Sequence, residues 1–193
     1  MRNLRSIKNN YLLIAFYCFL IFSFKQQENE DIIKWSFDYK LDLDDFKNNS
    51  KSSKNLVAVS SIGIEMQEFI FTKHHATTNI TSFFDRNNSW TKTASNEVLK
   101  HEQGHFDIGE IYARILKKSL SLKKFRRKSI SDDAINIYNS VFNDNKMWQE
   151  LYDNETEHGK NQIKQAEWEA KISNRLEDLS KYSSPQIKIV VRN

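Results

Sequence analysis

The stretch Leu99-Lys100-His101-Glu102-Gln103-Gly104-His105-Phe106 carries the pattern His-Glu-x-x-His, and the reading of the fold turns on it. On a helix, residues four apart stand one turn above each other, so His101 and His105 present two imidazole nitrogens to one metal ion, with Glu102 beside them to handle an activated water. The spacing suits Zn2+, which takes His nitrogens tetrahedrally and in catalytic sites keeps one position open. Two ligands do not complete a site, so a third has to come from elsewhere. The match arises by chance in about one chain per hundred of this composition, so context decides between a metal pair and two ordinary surface histidines.

Thr93 or Ser95 can cap a helix that is predicted to run to about Leu120. Projected at about 100° per residue, Val98, Leu99, Phe106, Gly109, Tyr112, Ala113, Leu116 and Leu120 share one face, with Lys100, Gln103, Asp107, Arg114 and Lys118 opposite. His101, Glu102 and His105 fall on the apolar side. Polar groups turned into a core need hydrogen bonds or metal bonds, which favours a ligand pair and leaves a hydrogen-bonded core pair as the alternative. Asp107 lies about 200° from His105 and Glu110 about 140°, so neither reaches the metal from a continuous helix.

Further along, Tyr152-Asp153-Asn154-Glu155-Thr156-Glu157-His158-Gly159 is expected to open a last helix reaching about Lys181, with Asp153, Asn154 and Thr156 as candidate caps. His158, Asn161, Gln162, Gln165, Glu169, Ile172, Leu176 and Leu179 share a face that is polar near its start and apolar beyond. His158 is the candidate third ligand. Gln162 or Gln165 offers the oxygen that orients a ligating imidazole, and Asp153, Glu155 and Glu157 are fallback ligands. The alternative is a merely solvated helix end. Between the two motifs, Ser131 caps a second helix with Ile135, Tyr138, Val141 and Phe142 inward, ending near Asn143-Asp144-Asn145. The basic run over residues 117–128 carries no further nucleic-acid signature and reads as a solvated helix end and loop. No nucleic-acid partner is expected.

Upstream, Trp35, Phe37, Tyr39, Leu41 and Leu43 alternate with polar residues, the pattern of a half-buried strand. Residues 56–61, 62–70 and 77–84 read as further strands, the last a candidate edge for an extended peptide. His74 and His75 are adjacent, so in a strand they point to opposite faces and cannot chelate one ion together.

At the N-terminus, Arg2, Arg5 and Lys8 precede an apolar run over residues 11–24, short for a membrane span and suited to a signal-peptide core. The expected organisation is therefore a signal peptide or N-terminal membrane anchor over 1–24, a spacer over 25–33, one domain over 34–182 and a tail over 183–193. The protein is expected to be exported: periplasmic, secreted or envelope-anchored, with membrane contact only through an uncleaved N-terminal segment. The one cysteine, Cys18, falls in that segment, which excludes a cysteine-based zinc site and a cysteine nucleophile in the domain. With a net charge of +4, 12% aromatics, four Gly and one Pro, the chain is neither collagenous nor wholly disordered.

Ser89-Trp90, residues 99–108 (Leu-Lys-His-Glu-Gln-Gly-His-Phe-Asp-Ile) and residues 152–168 (Tyr-Asp-x-x-Thr-x-His-Gly-x-x-Gln-x-x-Gln-x-x-Trp) together resemble a bacterial family of unknown function whose members are described as predicted secreted zinc-dependent proteases. The resemblance covers roughly residues 35–181. It implies a zincin-like domain with His101 and His105 as ligands, Glu102 as catalytic residue and His158 as the matching third ligand.

The expectation is a single α+β, zincin-like domain: an N-terminal sheet packed on about three helices, with a zinc site between the first and last. Its expected function is peptide-bond hydrolysis on a peptide or protein substrate, with Glu102 as general base and Tyr112 or Tyr152 as candidate oxyanion donors. The alternative is a non-catalytic envelope protein with a structural metal site or none.

Overall fold

The stretch His75–Asp85 buries every second residue, Ala76, Thr78, Ile80, Ser82 and Phe84, as a strand with one face on a core must. It is the longest strand of the computed structural model, which describes residues 30–48, 56–93 and 95–192. Among these, the elements follow as β1 (Ile32–Lys34), β2 (Ala58–Val59), β3 (Ile62–Met66), β4 (Ile70–Phe71), β5 (His75–Asp85), β6 (Trp90–Thr91), α1 (Asn96–Leu122), β7 (Phe125–Arg126), α2 (Ile130–Thr156), α3 (Gln162–Asp178) and β8 (Gln186–Arg192). The architecture is mixed α+β: a curled six-stranded sheet, a separate β2–β6 pair, and three helices.

β5 is the spine of the sheet. β3 and β4 pair along one of its edges and β1 and β8 along the other, all antiparallel. No edge of residues 77–84 is left to receive a peptide, which corrects that expectation. β8 also pairs in parallel with β7. Residues 183–193, expected as a tail, thus contain a strand of the main sheet, with Ile187, Ile189 and Val191 buried and the residues between them exposed.

The alternation over residues 35–43 does not form the predicted strand. β1 ends at Lys34, and the Trp35 N–H still donates to the Ser82 carbonyl at 2.9 Å before the chain leaves the sheet. The segment is held on α1 by side chains instead of a ladder. Trp35 Nε1 donates to Asp107 Oδ1 at 2.8 Å, and the Leu41 N–H donates to Gln103 Oε1 at 2.9 Å. Phe37, expected inward, is 73% exposed.

α1 starts behind Ser95, whose Oγ accepts from the Val98 N–H, and it is buried nearly all round. Arg114, on the predicted solvent face, is covered because its Nη1 donates to the Leu176 carbonyl of α3 at 2.7 Å, while its Nε donates to Glu110 at 2.8 Å. α2 runs unbroken through Asn143, Asp144 and Asn145, where an end was expected. The weak helix preference of those residues, a few tenths of a kcal/mol each, is outweighed by burial of Val141, Asn145 and Tyr152 on the same helix. The break comes later, at Glu157, whose φ of 52° ends the helix, and Asn161 caps α3 through its side chain. The signal or anchor reading of residues 1–24 lies outside the described residues, and among the described ones no helix is long and apolar enough to cross a membrane.

If β8 belongs to the core, Ile189→Ala costs about 2–5 kcal/mol in urea-unfolding stability. A residue in a mere tail would change it by no more than about 0.5 kcal/mol.

Candidate metal centre

His101 and His105 stand one turn apart on α1, with their rings edge to face at 4.7 Å between centroids and their Nε2 atoms 3.2 Å apart. Both Nε2 atoms lie 3.0 Å from the same atom, Asp153 Oδ1, which reaches in from the last turn of α2. His158 Nδ1 lies 3.2 Å from that oxygen. Donors of three chain segments therefore meet around Asp153 Oδ1, and the group His101, Asp153 and His158, whose ligand atoms lie within 4.8 Å of one another, is able to hold a metal ion, with His105 outside that group. Donors around one tetrahedral zinc, at about 2.0–2.2 Å from it, stand about 3.3 Å from each other, close to the separations among His101 Nε2, His105 Nε2 and Asp153 Oδ1.

The outer nitrogens decide what the inner ones can offer. Gln149 Nε2 donates to the His105 carbonyl at 3.0 Å and to Asn145 Oδ1 at 3.3 Å, which leaves its Oε1 to accept from His105 Nδ1 at 2.6 Å. Gln165 repeats the arrangement on His101: its Nε2 donates to the Tyr152 hydroxyl at 2.8 Å and its Oε1 lies 3.2 Å from His101 Nδ1. With Nδ1 protonated on both rings, both Nε2 atoms present lone pairs to each other and to a carboxylate. Such a corner calls for a proton or a cation. Burial pulls the His105 imidazole toward the neutral form, yet Asp153, Glu102 and Gln149 outweigh it and raise its pKa. Burial likewise pushes the Asp153 carboxyl up, and the two imidazoles against it reverse this and hold it well below the usual carboxylate range.

Tyr152 is the floor of the site. Its ring stacks on His101 at 4.6 Å and 21°, and its hydroxyl donates to the His101 carbonyl at 3.1 Å. Gly104, the fourth residue of the motif, leaves room for it, since any Cβ there would overlap the Tyr152 ring and hydroxyl. Fully buried and already bonded, Tyr152 cannot donate to a substrate, and Tyr112 is buried against Trp148, so neither expected oxyanion donor faces the cleft.

His158 sits not on the last helix, as expected, but in the turn before it. Glu157, His158 and Gly159 have φ values of 52°, 54° and 78°, a left-handed run that aims the His158 ring back at Asp153. A Cβ on Gly159 would stand 2.9 Å from His101 Cβ, so this glycine serves both the turn and the ligand packed on it. Gln165 orients His101 instead of His158, and Gln162 donates to the Gly159 carbonyl. Of the fallback ligands, Asp153 lies at the centre, Glu155 accepts from Trp168 Nε1, and Glu157 is the exposed helix cap. His74 and His75 lie outside the cluster.

Glu102 is 4% exposed and its Oε2 accepts from Ser60 Oγ at 2.5 Å. Its Oε1 has no hydrogen bond among the described residues. A cleft of about 440 Å³ opens here, lined by residues 56–60 around β2, by Val98, Glu102 and the histidines, and by Phe142, Asn145, Gln149 and Asp153 of α2. Ser60 and Gln149 carry no motif. Gln149 was legible as the residue one turn before Asp153, a spacing hidden by the expected helix end at Asn145.

Residues 71–159 match a family model described as "Bacterial protein of unknown function (DUF922)", a span that includes His101, Glu102, His105, Asp153 and His158. No curated protein and no solved structure matches the chain.

Gly159→Ala tests the turn. The left-handed φ costs a non-glycine residue about 1–2 kcal/mol, and the added methyl presses on His101. Zinc affinity measured by competition with a chelator is expected to fall by at least about tenfold, with the far-ultraviolet dichroism of the helices kept.

Proposed function

We propose that this protein is a zinc-dependent peptide-bond hydrolase with a zincin-like site, exported from the cytoplasm by its N-terminal segment. The observation that carries the reading is the meeting of His101 Nε2, His105 Nε2, Asp153 Oδ1 and His158 Nδ1, with Glu102 next in the chain and open to the same cleft. His101, His105 and Asp153 would hold the ion. His158, whose side chain is 50% exposed, is the donor best placed to yield. Bound there, zinc supplies a Lewis acid that polarises the scissile carbonyl and makes a water more acidic.

The protein's own groups do the rest. Glu102 accepts the proton of the attacking water on Oε1 and returns it to the leaving amine, so the proton ends on the new amino terminus. The Ser60 hydroxyl holds the other carboxylate oxygen and fixes the direction of Oε1. β2 pairs with β6 along one edge and borders the cleft, so an extended peptide would add to its other edge over residues 58–60, which pairs with no strand among the described residues. The resemblance of the two motifs to predicted secreted zinc-dependent proteases supports the same substrate class.

The His158 ring, 3.2 Å from Asp153 Oδ1, also favours a second reading, in which it closes the position a substrate would need. Structural zinc sites are closed by four protein ligands, whereas catalytic ones keep a place open. In that reading the ion ties α1 to the end of α2 in a non-catalytic envelope protein.

Glu102→Gln separates the two. The hydrolase reading expects zinc content to be unchanged and cleavage of a mixed peptide library to fall by about 10²–10⁴-fold. Undiminished cleavage in the variant would sink it. The structural reading expects chelation to lower the melting temperature while neither wild type nor variant cuts any peptide.

A further inference from the structure

We infer that the open face at one end of the main sheet, where β4, β5, β8 and β7 lie side by side, docks on an anionic phospholipid surface. The inference is independent of the hydrolase reading.

The strand register builds the face. Partners across a ladder point to the same side of a sheet, and successive residues alternate between its sides. The core takes one side, where Ala76, Ile80, Ile187, Ile189 and Val191 are buried with residues of α1. The other side is left as rows of exposed or half-buried residues. Ile70, Thr77 and Lys188 stand in one row, His75 and Val190 in the next, and Arg192 beside Arg126 in the last. At about 3.3 Å per residue and about 4.8 Å between strands, the three rows measure about 13 Å along the strands and about 14 Å across them.

The composition of these rows selects the partner. Ile70 is 71% exposed and Val190 45%, amid the cations of Lys188, Arg126 and Arg192, which are exposed and form no ion pair among the described residues. Lys123, by contrast, is tied to Asp133 at 3.1 Å. Where the chain folds over the end of the strands it adds the exposed Lys73 and Arg127. Arg127 Nη2 donates to the Thr72 and Lys73 carbonyls, and its guanidinium lies over the Phe71 ring at 5.1 Å. The first carboxylate on the rows is Glu65, opposite Thr81, about 13 Å along β5 from Thr77. A lipid surface accepts both kinds of side chain at once. Apolar groups enter the boundary between headgroups and acyl chains, while cations on long apolar stems meet the phosphates. A nucleic acid would offer phosphates to the cations alone, and the three rows carry no Phe, Tyr or Trp on which a base could stack.

The test is partition of the full chain onto vesicles of equimolar phosphatidylglycerol and phosphatidylcholine. Lipid is kept too dilute for phosphatidylcholine vesicles alone to hold the chain through its N-terminal segment. The wild type is expected to bind the anionic vesicles and to be released as salt rises. Lys188→Gln, Arg126→Gln and Arg192→Gln together are expected to weaken this binding by about 10²-fold. Lys100→Gln, Lys160→Gln and Lys181→Gln, which remove the same charge from exposed positions outside the rows, are expected to leave it nearly unchanged. Ile70→Ser keeps every charge and is expected to weaken binding by about tenfold, with the salt dependence retained. All these side chains are exposed, and far-ultraviolet dichroism checks that each variant is folded. Equal loss in the two triple variants, or no preference of the wild type for anionic vesicles, overturns the inference. So does tighter binding of the wild type to a single-stranded RNA that is lost with Lys188, Arg126 and Arg192, an outcome that would make the face a nucleic-acid site.

Discussion

Two imidazole lone pairs and a carboxylate cannot share a buried corner unless positive charge stands between them, and most of the fold near the site follows from meeting that demand. The corner is built because glutamine side chains hold the far nitrogens of both rings as donors. Gln149 and Gln165 each spend one end of the amide elsewhere, on the His105 carbonyl and the Tyr152 hydroxyl, so neither can turn over to relieve the conflict. The tautomers are thus set by groups that lie outside the inner cluster.

This demand also explains why the elements have the lengths they do. α2 must continue past its three weak helix formers so that Asn145, Gln149 and Asp153 stay in one stripe. It must then stop within a few residues, or His158 would turn away from Asp153. The left-handed φ at Glu157, His158 and Gly159 meets both requirements, and the small Gly104 and Gly159 let Tyr152 and the turn close on His101 from two sides. α1 in turn lies between the sheet and the other helices, which is why its Arg114 is buried and bonded.

What was legible in the sequence were features with a fixed local period. The spacing of His101 and His105, the Ser95 cap, and the inward turn of the motif all follow from helix geometry and hold in the structure. The failures share a cause. The alternation over residues 35–43 looked like a strand, but its side chains answer to Asp107 and Gln103 on a helix more than sixty residues away, which no local pattern records. Residues 186–192 alternate as well, and were passed over because a strand needs a neighbour and theirs, β5, lies a hundred residues upstream. Asp153 was visible only as one acid among several, since its place depends on where the helix ends. Ser60 is an isolated hydroxyl until β2 is set against α1.

The bridge from α1 to the end of α2 has a consequence for the unfolded chain as well. His101 and Asp153 are 52 residues apart in sequence, and the single cysteine leaves no disulfide to be formed within one chain. A cation gripped by both would act as a removable cross-link. Closing a loop of that size takes conformational entropy from the denatured ensemble worth about 4 kcal/mol by the relation used for disulfides. Metal supply would then set how long a newly made chain stays open to proteases, whatever reaction the finished site performs.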